Sequence, residues 1–150
     1  MKIKTAILAG VMALAGLSTT YLATAIAQDS KSAPGAKVYF VNLKDGDSVS
    51  NPVLVKFGLT GMGVAPAGLQ GDATANTGHH HLLINAKIEG EALKGLIPAD
   101  EKHVHFGKGQ TEASVSLPPG QHTLQLVLGD WTHIPHVPPI MSDRITITVK

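Results

Sequence analysis

The sequence predicts an all-β fold: a small antiparallel two-sheet sandwich, immunoglobulin-like, with about seven short strands, a small closed barrel being the alternative. Three observations lead there. Apolar and polar residues alternate with period two in one run after another, which turns one face of each run toward a core. Turn-forming residues separate the runs. No segment sustains a helical period, although Gly90 to Leu96 has the length for one short helical turn.

In chain order, residues 1–27 read as a signal peptide. Lys2 and Lys4 form a positive n-region, Thr5 to Leu22 carries no charge, and Ala25-Ile26-Ala27 puts small residues where signal peptidase cuts. Cleavage after Ala27 would leave a chain beginning at Gln28. A retained membrane anchor is the competing reading, because the apolar stretch approaches the length of a span. The A-x-A site and the polar Ser18, Thr19 and Thr20 favour removal. The expected location is therefore the periplasm or the cell exterior, with no membrane insertion after cleavage. Gln28 to Ala36, small and polar with Pro34 and Gly35, is expected to be a tether. Residues 37–150 are expected to form one domain.

Lys37 to Asn42 is rich in β-branched and aromatic residues, and Asp45-Gly46-Asp47 supplies a turn. In Val53 to Leu59, the residues Val53, Val55, Phe57 and Leu59 share a face. Extended runs follow at His79 to Lys87 and Lys102 to Phe106. Another spans Thr111 to Leu117, with Ala113, Val115 and Leu117 alternating against Glu112, Ser114 and Ser116. Pro118-Pro119-Gly120 turns the chain into Gln121 to Leu128, where Leu124, Leu126 and Leu128 share a face. Arg144 to Lys150 is a last amphipathic strand. The longest irregular stretch is Gly61 to Gly78, rich in Gly, Ala, Pro and Thr, of the kind that is often functional.

Composition removes several classes of function. The chain has 150 residues and no cysteine, which excludes disulfides, zinc fingers, blue-copper sites, iron–sulfur clusters and thiol catalysis. Without Lys2 and Lys4, 10 basic residues face 11 acidic ones and no basic cluster remains, so a nucleic-acid partner is not expected. G-x-S-x-G, H-E-x-x-H and a phosphate-binding glycine loop are all missing.

The concentrated feature is histidine: eight residues, all between positions 79 and 136. They fall as His79-His80-His81, His103-x-His105, His122 and His133-x-x-His136. Imidazole ligates Zn, Cu and Ni, and a site needs three or four converging donors. A His-x-His pair on a strand puts both rings on one face. Strand parity places His80 with Leu82 and Ile84, and turns His79 and His81 to the opposite face. Val104 and Phe106 are expected to face the core, which turns His103 and His105 outward. His79, His81, His103 and His105 can then form a patch, joined by His133 and His136 from the proline-rich loop Gly129 to Met141. These six are the candidate metal ligands, for copper or zinc. His80 and His122 fall in parity with apolar residues and are expected to be structural, bonded to backbone. Met62 and Met141 would suit Cu(I), but filling gaps in the core is the simpler role for them.

The competing reading is a structural or interaction domain of the periplasm, in which the imidazoles bond to Asp100, Glu101, Glu112 and Asp130 and fix the loops. Those carboxylates would equally serve to orient ligand rings. Another periplasmic protein is then a candidate partner beside the metal ion. A metal-dependent hydrolase would require an open coordination position.

Several blocks resemble a bacterial exported family known as a domain of unknown function, DUF4399. They include Gly61-Met62-Gly63-Val64, Asn76-Thr77-Gly78-His79-His80-His81, His103-Val104-His105-Phe106-Gly107, Pro118-Pro119-Gly120-Gln121-His122 and Gly129-Asp130 with His133-Ile134-Pro135-His136. The resemblance spans roughly Val38 to Val149. It implies a single extracytoplasmic domain and no particular activity.

Overall fold

A computed structural model describes residues 30–150; the expected signal peptide and its cleavage site after Ala27 lie outside the described residues. The predicted all-β sandwich is what the chain forms. Strands β1 (Lys37–Phe40), β3 (Val53–Thr60) and β7 (Glu112–Val115) make one sheet in the order β1-β3-β7. The other sheet runs β2-β9-β8-β5-β4, from Ser48–Val49 (β2), Ile145–Val149 (β9), Gly120–Gly129 (β8), Thr77–Ile84 (β5) and Gly63–Val64 (β4). Strand β6 (His103–His105) pairs antiparallel with β5. Seven of these strands match the expected runs. The two-residue β2 and β4 pair in parallel with β9 and β5 and are too short for any periodicity to reveal. Short 3-10 turns occur at Gly71–Thr74 and, where one turn is expected, at Gly90–Lys94. Gly61 to Gly78 is thus less irregular than its composition suggests. Among the described residues no helix is long and apolar enough to cross a membrane.

The main core lies between the sheets. Val38, Val53, Val55 and Phe57 meet Leu82, Ile84, Leu124, Leu126, Leu128, Ile145, Ile147 and Val149. These are the alternating positions, because side chains on a strand point to opposite faces in turn. Burying a Val, Leu, Ile or Phe contributes roughly 1.5–3 kcal/mol each, so this layer carries the fold without a disulfide.

The alternation conceals a second layer. β5 and β8 are central strands, and their outward residues are buried too. Leu83 and Val127 pack with Ile88 and Ile97 in a smaller core, together with the partly buried Leu93 and Met141. The covering segments are the connections flanking the Gly90–Lys94 turn and the loop after β8. The second sheet is therefore closed on both faces along β5 and the second half of β8.

The described part of the expected tether lies along that loop. Ser32 N–H donates to Val137 O at 3.1 Å, Val137 N–H donates to Ser30 O at 2.9 Å, and Ser30 Oγ donates to Asp130 Oδ2 at 2.6 Å.

Candidate metal centre

β5 is the rigid base of the site. Its register sets His81 opposite His105 on β6 and Val127 on β8, and His79 opposite Gly129. By parity His79 and His81 leave the inner core, as the sequence predicts, and enter the outer layer, where both are buried. His105 reaches them from β6, half-buried. His133 arrives from the loop after β8.

That loop is shaped by one carboxylate. Asp130, 2 % exposed, accepts from Thr132 N–H at 2.8 Å, Thr132 Oγ at 2.7 Å and Ile134 N–H at 3.0 Å, all on Oδ1. Ser30 occupies Oδ2. Burial alone would raise the Asp130 pKa, but these hydrogen bonds, Ser30's first, outweigh it and hold the carboxyl below its ordinary range. The tight turn leaves His133 at φ 68°, a left-handed conformation that a non-glycine residue adopts only when its surroundings enforce it. His133 N–H donates to Asp130 O at 2.9 Å, and His133 O accepts from Ile97 N–H at 2.8 Å. The ring is thereby swung over β5.

The four rings of His79, His81, His105 and His133 can each offer a nitrogen, and these nitrogens lie within 4.8 Å of one another. His79 Nε2 is 2.9 Å from His81 Nε2 and 3.1 Å from His133 Nδ1. Two nitrogens at such distances must share a proton or a cation, since two lone pairs facing each other repel. His79 Nδ1, His81 Nδ1 and His105 Nε2 are buried and have no hydrogen-bond partner among the described residues. Each such group costs about 1–3 kcal/mol if left unsatisfied.

The electrostatics keep His79, His81 and His105 neutral. Burial, and then the neighbouring imidazoles of His105 and His133, lower His79 to about 4, with Asp130 pulling the other way. Burial, with His79 next, lowers His81 to about 2. His105 is lowered by burial and by His133. Neutral imidazole is the form that ligates a metal.

Two glycines make the room. A Cβ at Gly129 would stand 2.8 Å from His81 Nε2 and 3.3 Å from Ile97, and one at Gly107 would overlap the His105 ring. Gly129→Ala is expected to cost roughly 1–3 kcal/mol by overpacking, although alanine is ordinarily better than glycine in a strand by about 0.5–1 kcal/mol. Urea unfolding of the variant measures which term prevails.

Of the six candidate ligands, the structure brings four together. His103 shares the outward parity, but its Nδ1 lies 2.8 Å from Asp100 Oδ1, and Asp100 Oδ1 also accepts from the backbone N–H of His103 and Lys102. The ring is held in that turn, and its hydrogen bond lowers the Asp100 pKa. His136 is buried with Nε2 3.1 Å from Thr77 O and Nδ1 3.4 Å from Leu128 O. It pins the loop to the end of β5, over Gly78.

His80 enters the inner core as expected and stacks on Phe57 with centroids 5.1 Å apart. Its expected backbone bond is at most weak. The Gln110 backbone opposes the lowering of its pKa to about 4 by burial, yet neither ring nitrogen reaches a partner in good hydrogen-bond geometry. His122 is half-buried rather than buried, and bonds to Pro118 O at 2.8 Å and Asn85 Nδ2 at 3.0 Å. Met62 and Met141 pack against the two cores. Glu112 pairs loosely with Lys56 at 3.8 Å.

Sequence reasoning missed the roles of Gly107 and Gly129. The pattern His103-x-His105-x-Gly107 carried a signal, since a glycine of like parity beside a histidine leaves space for its ring.

Fold and site together define a small β-sandwich with a cluster of four histidines, able to hold a metal ion, under the outer layer of one sheet. Residues 55–150 match the family described as a domain of unknown function (DUF4399), and the chain belongs to that family. The matched span contains all four histidines, Asp130 and both glycines. No curated protein and no solved structure matches the chain.

Proposed function

We propose that the protein is an extracytoplasmic binding module that coordinates one transition-metal ion, copper or zinc, through His79, His81, His105 and His133, for storage, delivery or sensing. The observation that carries this reading is the convergence of four imidazoles, His79 and His81 buried and His105 and His133 half-buried, each offering a nitrogen within 4.8 Å of the others. A cation at their centre would be held by the facing nitrogens His79 Nε2, His81 Nε2 and His133 Nδ1 in place of a shared proton, and would give the unpartnered His105 Nε2 a partner. The exported location rests on the leader and its A-x-A site.

The structural reading of the histidines has support of its own at His103, His122 and His136, each of which bonds to a carboxylate or to backbone carbonyl. Those three serve the loops. A hydrolase finds less support: the groove of about 800 Å³ along β1 and the 141–145 segment is lined by residues such as Lys37, Tyr39, Asp45 and Arg144, and not by the cluster.

The test is metal analysis of untagged protein purified from its native compartment without chelators or nickel resin, followed by titration. About one equivalent of zinc or copper is expected. His133→Ala should lower affinity by roughly 100-fold or more, beyond the 10–100-fold typical of losing an outer partner. His103→Ala should leave it unchanged. Protein that carries no metal and binds none when titrated would sink the proposal, and the cluster would then be a hydrogen-bonded network.

A further inference from the structure

The six distances between the four rings go further than the presence of a site. They are 4.8 Å for His79–His81, 5.0 Å for His79–His105, 5.0 Å for His79–His133, 5.0 Å for His81–His105, 6.1 Å for His81–His133 and 4.7 Å for His105–His133. An imidazole bound at about 2.0–2.1 Å puts its centroid roughly 3.2 Å from the ion, so four rings on a tetrahedron stand about 5.2 Å apart in every pair. A square plane instead gives four pairs near roughly 4.5 Å and two trans pairs near roughly 6.4 Å, and the two trans pairs share no ring. Here one pair is long, His81–His133. The pair that would have to be long with it, His79–His105, is 5.0 Å. The rings therefore stand on a tetrahedron opened along one edge.

We infer that the site is a closed tetrahedral centre for Zn(II), in which all four imidazoles bind and no coordination position is left for substrate. The inference rests on the metal-site reading above and narrows it. A filled d shell accepts a tetrahedron without preference, whereas Cu(II) and Ni(II) favour tetragonal or square arrangements of nitrogen and oxygen. Cu(I) is disfavoured by the donor set, which contains nitrogen alone, since soft thiolate and thioether ligands select that ion. Asp130 places a negative charge close enough to act on His79, which balances part of the cation's charge without joining the ligands. Closed zinc sites hold structure or hold the ion; catalytic ones keep a position open. The class of function this selects is zinc retention or transfer, and not hydrolysis. His79 and His81 are fixed on a central strand, while His105 and His133 are half-buried at the rim, so the rim pair is the side by which the ion enters and leaves.

The experiment loads the full exported chain with Co(II) and reads its visible spectrum. The expected result is the intense absorption of four-coordinate cobalt, unchanged when azide is added. Zn(II) should displace the cobalt with a preference of about tenfold or more, and Ni(II), which ordinarily outranks Co(II) at nitrogen sites, should displace it poorly. Weak six-coordinate bands, a spectrum that azide alters, or ready displacement by Ni(II) would overturn the closed tetrahedron and leave the metal site standing. Failure to bind cobalt, zinc or copper at all would remove both.

Discussion

Metal-free protein is expected to unfold cooperatively in mild acid, with a midpoint near about pH 4–5, set largely by three histidines and not by carboxylates. His79 and His80 stay neutral down to about 4 and His81 down to about 2, in each case chiefly through burial. In the unfolded chain all three titrate near 6.5. Above that pH both states bind the same number of protons and stability is complete. Below it the unfolded chain takes up protons that the native state refuses, so stability falls with pH. The slope approaches roughly 4 kcal/mol per pH unit for three such groups, enough to exhaust an ordinary stability of about 5–15 kcal/mol within two or three units. Circular dichroism across a pH series measures the midpoint. Zinc should shift it lower, because an ion bound only by the native state stabilises that state. His80→Leu should reduce the slope by about one proton and raise stability at neutral pH, since it replaces two unpartnered ring nitrogens beside Phe57 with apolar surface. A midpoint that His80→Leu does not move would separate acid lability from the core histidine.

The second large effect is expected at Asp130. Asp130→Ala leaves Thr132 N–H, Ile134 N–H and two hydroxyls without their acceptor, at a cost of about 3–5 kcal/mol in total. The turn that holds His133 at positive φ then keeps only its backbone bonds, such as His133 N–H to Asp130 O and Ile97 N–H to His133 O. Metal affinity should fall tenfold or more, although Asp130 is not among the four proposed ligands. Asp130→Asn keeps Oδ1 as an acceptor and is expected to lose less than half as much. Denaturant melts and zinc titrations of both variants measure this. Equal damage from the two would mean that the charge, and not the hydrogen-bonded turn, matters.

The strands were legible because burial on one face imposes period two, which β1, β7, β9 and most of β3 obey, whereas β5 and the second half of β8 are buried on both faces. Parity also placed His79 and His81 opposite His80. It stopped being sufficient where the chain leaves the sheet. His103 has the right parity, yet the turn begun by Asp100 captures its ring. His136 points at the carbonyls of Thr77 and Leu128, a choice made by the path of the loop. His133 reaches the cluster only because Asp130 folds the loop back, and a separation of 54 positions from His79 carries no local signal of their meeting. The outer core was hidden for a related reason: Leu83 and Val127 look like the second face of a sheet open to solvent until the covering segments are in place.

β5 and β8 divide their residues between two neighbours, sending Leu82, Ile84, Leu124, Leu126 and Leu128 inward and His79, His81, Leu83 and Val127 outward. Inner and outer layers thus meet through shared backbone and not through shared side chains. Substitutions in the covering segments can accordingly retune the histidine chamber (its width, its lid, the ion it prefers) while the sandwich beneath keeps its shape. The architecture works as a chassis with an exchangeable module, and divergence within such a family would fall on residues 85–98, away from the histidine-bearing blocks, before it reached the strands.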